Sequence, residues 1–205
     1  MTINQMALGC LLLPIIGAFI TRMLGSNTVS RWLPIVCMTG SMLLAMALFR
    51  DAGFVQKSID LYQYTWLDFQ GYRVEIGFWL DALSLMMMVI VTTVSWLVHI
   101  YSLGYVARDP NQYQYFSYVS FFTFAMLLLV MGNNLLQVFM GWEGVGLASY
   151  LLIGFWQTKA YPSKASIKAF VVNRVGDMGL LIAMGLILMQ LGSLEFGQIL
   201  SKGSV

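Results

Sequence analysis

The chain has 205 residues, 59% of them hydrophobic and only 10% charged, with a mean hydropathy of +0.77. That departs from a water-soluble domain, where roughly a quarter of residues are charged, and marks an integral membrane protein. Eleven basic against nine acidic residues leave a net charge of +2, with no block of like sign, so a nucleic-acid partner is excluded.

The first apolar run, Met6 to Ile20, lacks the basic leader and small-residue cleavage site of a signal peptide, and further runs follow it; it is read as a retained helix. A helix that crosses a bilayer needs about 20 mostly apolar residues. That rule places six spans, at about Gln5 to Met23, Trp32 to Phe49, Leu80 to Tyr105, Tyr115 to Met131, Asn134 to Trp156 and Ser166 to Leu191. Between the second and third, Ile59-Asp60-Leu61-Tyr62 and Tyr72-Arg73-Val74-Glu75-Ile76 alternate apolar and polar around Gly71, which predicts a short β-hairpin at the membrane surface. The fold class is therefore an all-α bundle of about six transmembrane helices carrying one hairpin, with residues 1–205 as a single transmembrane domain. Cys10 and Cys37 fall inside apolar runs, give neither a disulfide framework nor a metal-ligand spacing, and read as small core residues.

Counting alternate sides of the membrane, Arg22, Arg31, Arg108, Lys159, Lys164 and Lys168 share one face, and Arg50, Lys57, Arg73 and Lys202 the other. The positive-inside rule makes the first face cytoplasmic or matrix-facing, with both termini and the hairpin outside. After the sixth helix the chain runs through Gly192-Ser193-Leu194-Glu195-Phe196 with no charged tail.

Polar residues inside the spans carry the functional signal. Glu143 lies in Gly141-Trp142-Glu143-Gly144-Val145-Gly146, mid-span, where a carboxylate costs at least ~2.5 kcal/mol and requires a partner, a proton or water. Gly146 leaves space beside the carboxyl, and Gly144 with Ala148 forms a small-xxx-small pair for close helix approach. The run completes no dinucleotide fingerprint, because no strand precedes it. On the third helix Thr92, Ser95, His99 and Ser102 share a face: the hydroxyls suit a seam satisfied by their own helix backbone, whereas His99 suits a proton relay as well as a buried structural role. On the sixth helix Asn173, Arg174 and Asp177 share a face, and Arg174 can pair with Asp177 either as a static lock or as part of a site. Glu143 and Arg174 each lie about 12 to 15 Å deep, near one level. Two carboxylates and a guanidinium at mid-membrane form a site whose protonation responds to neighbouring charge.

Leu80-Asp81-Ala82-Leu83-Ser84, the Gly-Trp-Glu-Gly run with Ser149-Tyr150-Leu151-Leu152-Ile153, and Asn173-Arg174-Val175-Gly176-Asp177 together resemble chain 5 (the bacterial L-type subunit) of proton-pumping NADH:ubiquinone oxidoreductase, respiratory complex I. The likeness extends to related subunits of multisubunit cation/proton antiporters and covers about the first third of a full-length member. It implies that Glu143 belongs to a proton-translocating half-channel, coupled to a lysine on a later broken helix that this chain does not reach. Arg174 and Asp177 match the family's polar positions on the following helix. Proton-translocation residues are therefore expected at Glu143, Asp177, Arg174 and His99, with no catalytic or metal-ligating residue. The resemblance implies a multi-pass subunit of an energy-transducing inner membrane, mitochondrial or bacterial plasma. It implies other complex I membrane-arm subunits as partners, with the missing C-terminal part either supplied by a second polypeptide or absent because this is a truncated product or a fragment of a larger chain. Nothing in the sequence is suited to bind NADH, flavin, an iron–sulfur cluster or quinone, so no cofactor is expected on this chain and redox chemistry belongs elsewhere. A cation/proton antiporter part and a structural remnant without transport are the alternative readings.

Overall fold

The computed structural model describes residues 2–52, 59–69, 72–156 and 160–202. Helix α1 (Ile3–Leu24) opens with a capping box: the Thr2 hydroxyl accepts from the Gln5 amide at 3.3 Å, and the Gln5 side chain accepts from the Thr2 amide at 3.1 Å. It packs on α2 (Thr28–Ala52) through Ala7, Cys10 and Ala45, all fully buried, and the Ser41 hydroxyl donates to the Cys10 carbonyl at 2.7 Å. Both cysteines are free and buried, Cys10 within this seam.

Strands β1 (Ile59–Phe69) and β2 (Tyr72–Leu80) pair antiparallel, with Ile59 opposite Leu80. The hairpin is longer than its alternating segments indicate, and its base does not simply lie on a surface. Phe78 and Leu80 are 1% exposed, packed in a core with Met6, Leu48, Leu85 and Met131, while Tyr64 and Trp66 stay exposed. Gly71, Lys57 and Lys159, which entered the turn and orientation arguments, lie outside the described residues.

Helix α3 (Ala82–Tyr105) begins after the expected Leu80, because Leu80 is still in the strand and Asp81 caps the helix. An Asp81 carboxylate oxygen accepts from the Ser84 amide at 2.7 Å, and the Ser84 hydroxyl accepts from the Asp81 amide at 2.8 Å. Helices α4 (Gln112–Val130) and α5 (Leu135–Ile153) follow, the latter capped by Asn134, whose side-chain oxygen accepts from the Gln137 amide at 2.8 Å. Helix α6 (Ala160–Leu191) starts six residues before the expected Ser166. Apolarity marks the part that spans, whereas the helix also includes a polar first turn that tolerates Pro162, where a missing N–H costs little. A short helix, α7 (Phe196–Lys202), was not expected from the sequence. All six of α1 to α6 are long and apolar enough to cross a membrane.

One end of the bundle is gathered by the turn between α4 and α5. Trp79 of β2 donates its amide to the Met131 carbonyl at 2.9 Å, and the Gly77 amide donates to the Gln137 side chain at 3.2 Å. From the other side, the Phe196 amide donates to the Asn133 carbonyl at 3.1 Å and the Leu135 amide to the Leu194 carbonyl at 3.0 Å. Hairpin, turn and C-terminal segment thus form one hydrogen-bonded cap, as buried backbone groups require.

Close packing of α5 on α4 rests on small residues. A Cβ at Gly144 would sit 2.9 Å from the Ala125 methyl, and one at Gly141 would sit 2.6 Å from the Leu129 backbone nitrogen; around Gly146 nothing lies within 4 Å. Gly141→Ala is therefore expected to separate the two helices at a cost of about 1–3 kcal/mol, seen as a lower melting temperature of the detergent-solubilised protein. Gly146→Ala should melt like wild type. Equal melting of both variants would show that the α4–α5 interface is slack.

Candidate functional site

Helices α5 and α6 run antiparallel, and their contacts step in opposite directions along the two chains. Gly154 meets Ser166, the Tyr150 and Phe170 rings meet at a tilt with centroids 5.4 Å apart, and the Trp142–Glu143 pair meets Arg174 and Asp177. This register follows from the small face of α5: Gly141 and Gly144 turn toward α4, which leaves Trp142 and Glu143 to face α6.

Arg174 donates a short, charge-assisted hydrogen bond to the Glu143 carboxylate. The same nitrogen is 4.0 Å from an Asp177 carboxylate oxygen, at the limit of ion pairing. Asp177 is instead held by the Trp142 indole, which donates to it at 2.9 Å. The expected Arg174–Asp177 pair is thus secondary to an interhelical one, because the long arginine stem carries the guanidinium past its own helix to α5. Its central carbon also lies 4.9 Å from the centre of the Phe170 ring, one turn back along α6. Asp177 is the most enclosed of the three, its side chain 9% exposed against 20% for Glu143 and 46% for Arg174.

Two ionised carboxylates and one guanidinium carry a net negative charge, and the guanidinium can pair with either acid. The arrangement thus sets one cation between two acids on neighbouring helices. Beside it lies a groove of about 430 Å³ lined by Val138, Trp142, Asn173, Gly176, Asp177 and Leu180. Asp177 supplies the acidic wall of that groove.

His99 stands apart, fully buried between α3 and α4. Its Nδ1 lies 2.8 Å from the Ser95 carbonyl, which fixes a proton on that nitrogen, and its Nε2 accepts from the Ser120 hydroxyl at 2.9 Å. Ser95 and Thr123 exchange a hydroxyl hydrogen bond of 2.5 Å. Thr92 and Ser102 donate to carbonyls of their own helix at 2.8 and 2.6 Å, as satisfied seam residues do. Among the described residues no hydrogen bond links this cluster to Glu143, and no group of metal-ligating side chains forms.

Trp142, Ser120 and Thr123 were missed in the sequence. Ser120 and Thr123 lie three residues apart along α4, a spacing that could have flagged a polar face toward α3. Trp142 gave no signal beyond its place in the motif.

Two family models match the chain: "NADH-Ubiquinone oxidoreductase (complex I), chain 5 N-terminus" over residues 66–116 and "NADH:quinone oxidoreductase/Mrp antiporter, TM" over residues 132–203. Together these matches span more than half of its length. The chain belongs to the complex I chain 5 family. Among members of that family, NADH-ubiquinone oxidoreductase chain 5 of Hypocrea jecorina is 40% identical over 199 residues, covering 96% of this chain and 29% of the relative. The proteins of the same name from Mycosarcoma maydis and Chondrus crispus are each 41% identical, covering 96% and 93% of this chain. The chain thus spans about 30% of the length of the curated chain 5 relatives it matches, and corresponds to their N-terminal part. The fold recurs in the structure of the membrane-bound sulfane sulfur reductase, an archaeal respiratory membrane complex, with a TM-score of 0.80 at 18% identity over 93% of this chain and 38% of that one. A helical membrane domain of the chain 5 type, with six apolar helices and one hairpin, is what the sequence predicted.

Proposed function

We propose that this chain contributes part of a proton-translocation half-channel to the membrane arm of a proton-pumping NADH:quinone oxidoreductase. The observation that carries the reading is the Arg174 guanidinium held on the Glu143 carboxylate between two membrane helices, with Asp177 enclosed alongside. A structural lock would be served by one carboxylate and one cation. The second acid leaves an uncompensated charge that only a proton, a further cation or water can meet. In this reading Glu143 is the protonatable group, Arg174 its movable counter-charge, Asp177 the alternative partner of that cation, and His99 a second node one interface away.

Membership of the chain 5 family supports partners drawn from the membrane arm and an energy-transducing inner membrane as the location. Redox centres and the quinone site are assigned to other subunits. Affinity purification from native membranes through a tag on this chain should recover flavin, iron–sulfur absorbance and NADH-dehydrogenase activity. Recovery of a cation/proton antiporter assembly without flavin would replace this reading with the antiporter one.

Orientation follows from loop charge. Arg22, Arg31, Arg108, Lys164 and Lys168 fall toward the end opposite the hairpin, which by the positive-inside rule supports that end as the cytoplasmic or matrix side, with both termini outside. In sealed vesicles a membrane-impermeant thiol reagent should label Tyr64→Cys from the outer side and Ser26→Cys only from the inner side. Both positions are exposed, and the two native cysteines are buried. Labelling of both variants from one side would refute the six-span topology.

A further inference from the structure

At the end of the bundle opposite the hairpin, α1 and α4 leave an open groove of about 260 Å³ between them. Its walls are apolar, with Ile15 and Phe19 from α1, Phe121 from α4 and Leu151 from α5. The Ser117 hydroxyl in the groove donates to the Ala18 carbonyl at 2.9 Å, and Tyr118 adds a second polar side chain to the lining. Arg22 lines the same groove from the last turn of α1, its guanidinium carbon 5.8 Å from the centre of the Tyr113 ring in the first turn of α4. Among the described residues no carboxylate pairs with Arg22. Asp109, an acid at this end, is engaged by the Asn111 amide at 2.8 Å and the Trp156 indole at 3.0 Å. A cation with no carboxylate partner among the described residues, steadied by a tyrosine, therefore stands at the mouth of an apolar trough cut between two membrane helices.

We propose that this groove binds an anionic phospholipid, with its phosphate against Arg22 and one acyl chain between Ile15, Phe19 and Phe121. A soluble anion would satisfy the guanidinium and leave the trough bare. A neutral alkyl chain would fill the trough and leave the cation without a partner in a weakly solvating interface. A zwitterionic lipid brings a second cation beside its phosphate, which sets it against Arg22. A lipid with a net negative headgroup meets both halves of the site. Basic clefts between helices on the inner side of a membrane are suited to such headgroups.

The test uses the native complex that contains this chain, reconstituted in phosphatidylcholine vesicles doped with a photoactivatable phosphatidylglycerol or, in parallel, with phosphatidylcholine carrying the same photoactivatable acyl chain. Cross-linked peptides are then mapped by mass spectrometry. Labelling of the α1 and α4 segments around Phe19 and Phe121 should favour phosphatidylglycerol by about fivefold, the ratio expected for one basic side chain at an anionic headgroup. Arg22→Gln should reduce that ratio to near one, and Arg22→Lys should retain it. If Arg22→Gln does not assemble, the ratio in the wild-type complex and its fall at high salt decide the matter. Equal labelling by the two lipids, or a preference that survives Arg22→Gln, would overturn the proposal.

Discussion

Arg174→Ala is expected to strip most of this chain from its native membrane complex. The substitution leaves Glu143 and Asp177 facing each other across α5 and α6 with no cation between them, in helices whose uncovered sides meet lipid or a neighbouring chain and not bulk water. Removing one member of a buried ionic group costs about 3–5 kcal/mol, because the partners keep their desolvation cost and lose the compensating charge. The partial exposure of Arg174 within the chain places the loss toward the lower figure. Arg174→Lys should recover part of it, since lysine restores the charge without the planar fork that addresses two carboxylates. The double variant Arg174→Ala with Glu143→Gln returns the group to its original net charge and should assemble better than Arg174→Ala alone, a sign of coupling that independent sites would not give. Asp177→Asn should be the mildest of the series, because its amide oxygen can still accept from Trp142 and Arg174 keeps Glu143. Native-gel quantification of the assembled complex reads all four. Wild-type assembly of Arg174→Ala would mean that the guanidinium compensates nothing.

Much of this architecture was legible because a bilayer imposes simple rules on sequence. Every backbone polar group in the hydrocarbon must be paired within its own segment, so length and apolarity alone mark the helices. The same rules lose information at helix ends. Leu80 is apolar enough to join a span, yet it closes a strand, and the decision is made by the Asp81–Ser84 cap. The early start of α6 and the whole of α7 escape notice because neither is needed to cross the membrane.

At the site, the residue types announced themselves by their cost: a glutamate, an arginine and an aspartate inside spans each demand a partner. Their pairing was less legible. Spacing on one helix favoured Arg174 with Asp177, since it sees only neighbours three and four residues apart. The interhelical register that gives Arg174 to Glu143 depends on the small face of α5 against α4, at Gly141 and Gly144, which is a property of three helices together. Trp142 became visible as a partner of Asp177 only in that register.

Glu143→Gln separates a packing role from a proton-carrying one. Glutamine keeps the length of the side chain and an oxygen that still accepts from Arg174, so assembly should stay near wild type. It can neither bind nor release a proton within the working range, and a positioned proton-transfer group typically contributes 10²–10⁴-fold. Proton translocation by the assembled variant should therefore fall by at least about tenfold, together with the electron transfer coupled to it. Glu143→Asp retains the carboxylate but shortens its reach to Arg174, and should fall between the two.

The central claim is that the Glu143 carboxyl carries protons, and the most direct measurement is NADH-driven acidification of proteoliposomes containing the Glu143→Gln complex. The rate is normalised to assembled complex, with an added ionophore defining the leak. The account predicts a normally assembled complex whose proton translocation is a small fraction of wild type. Translocation at the wild-type rate would show that this carboxylate only holds α5 to α6.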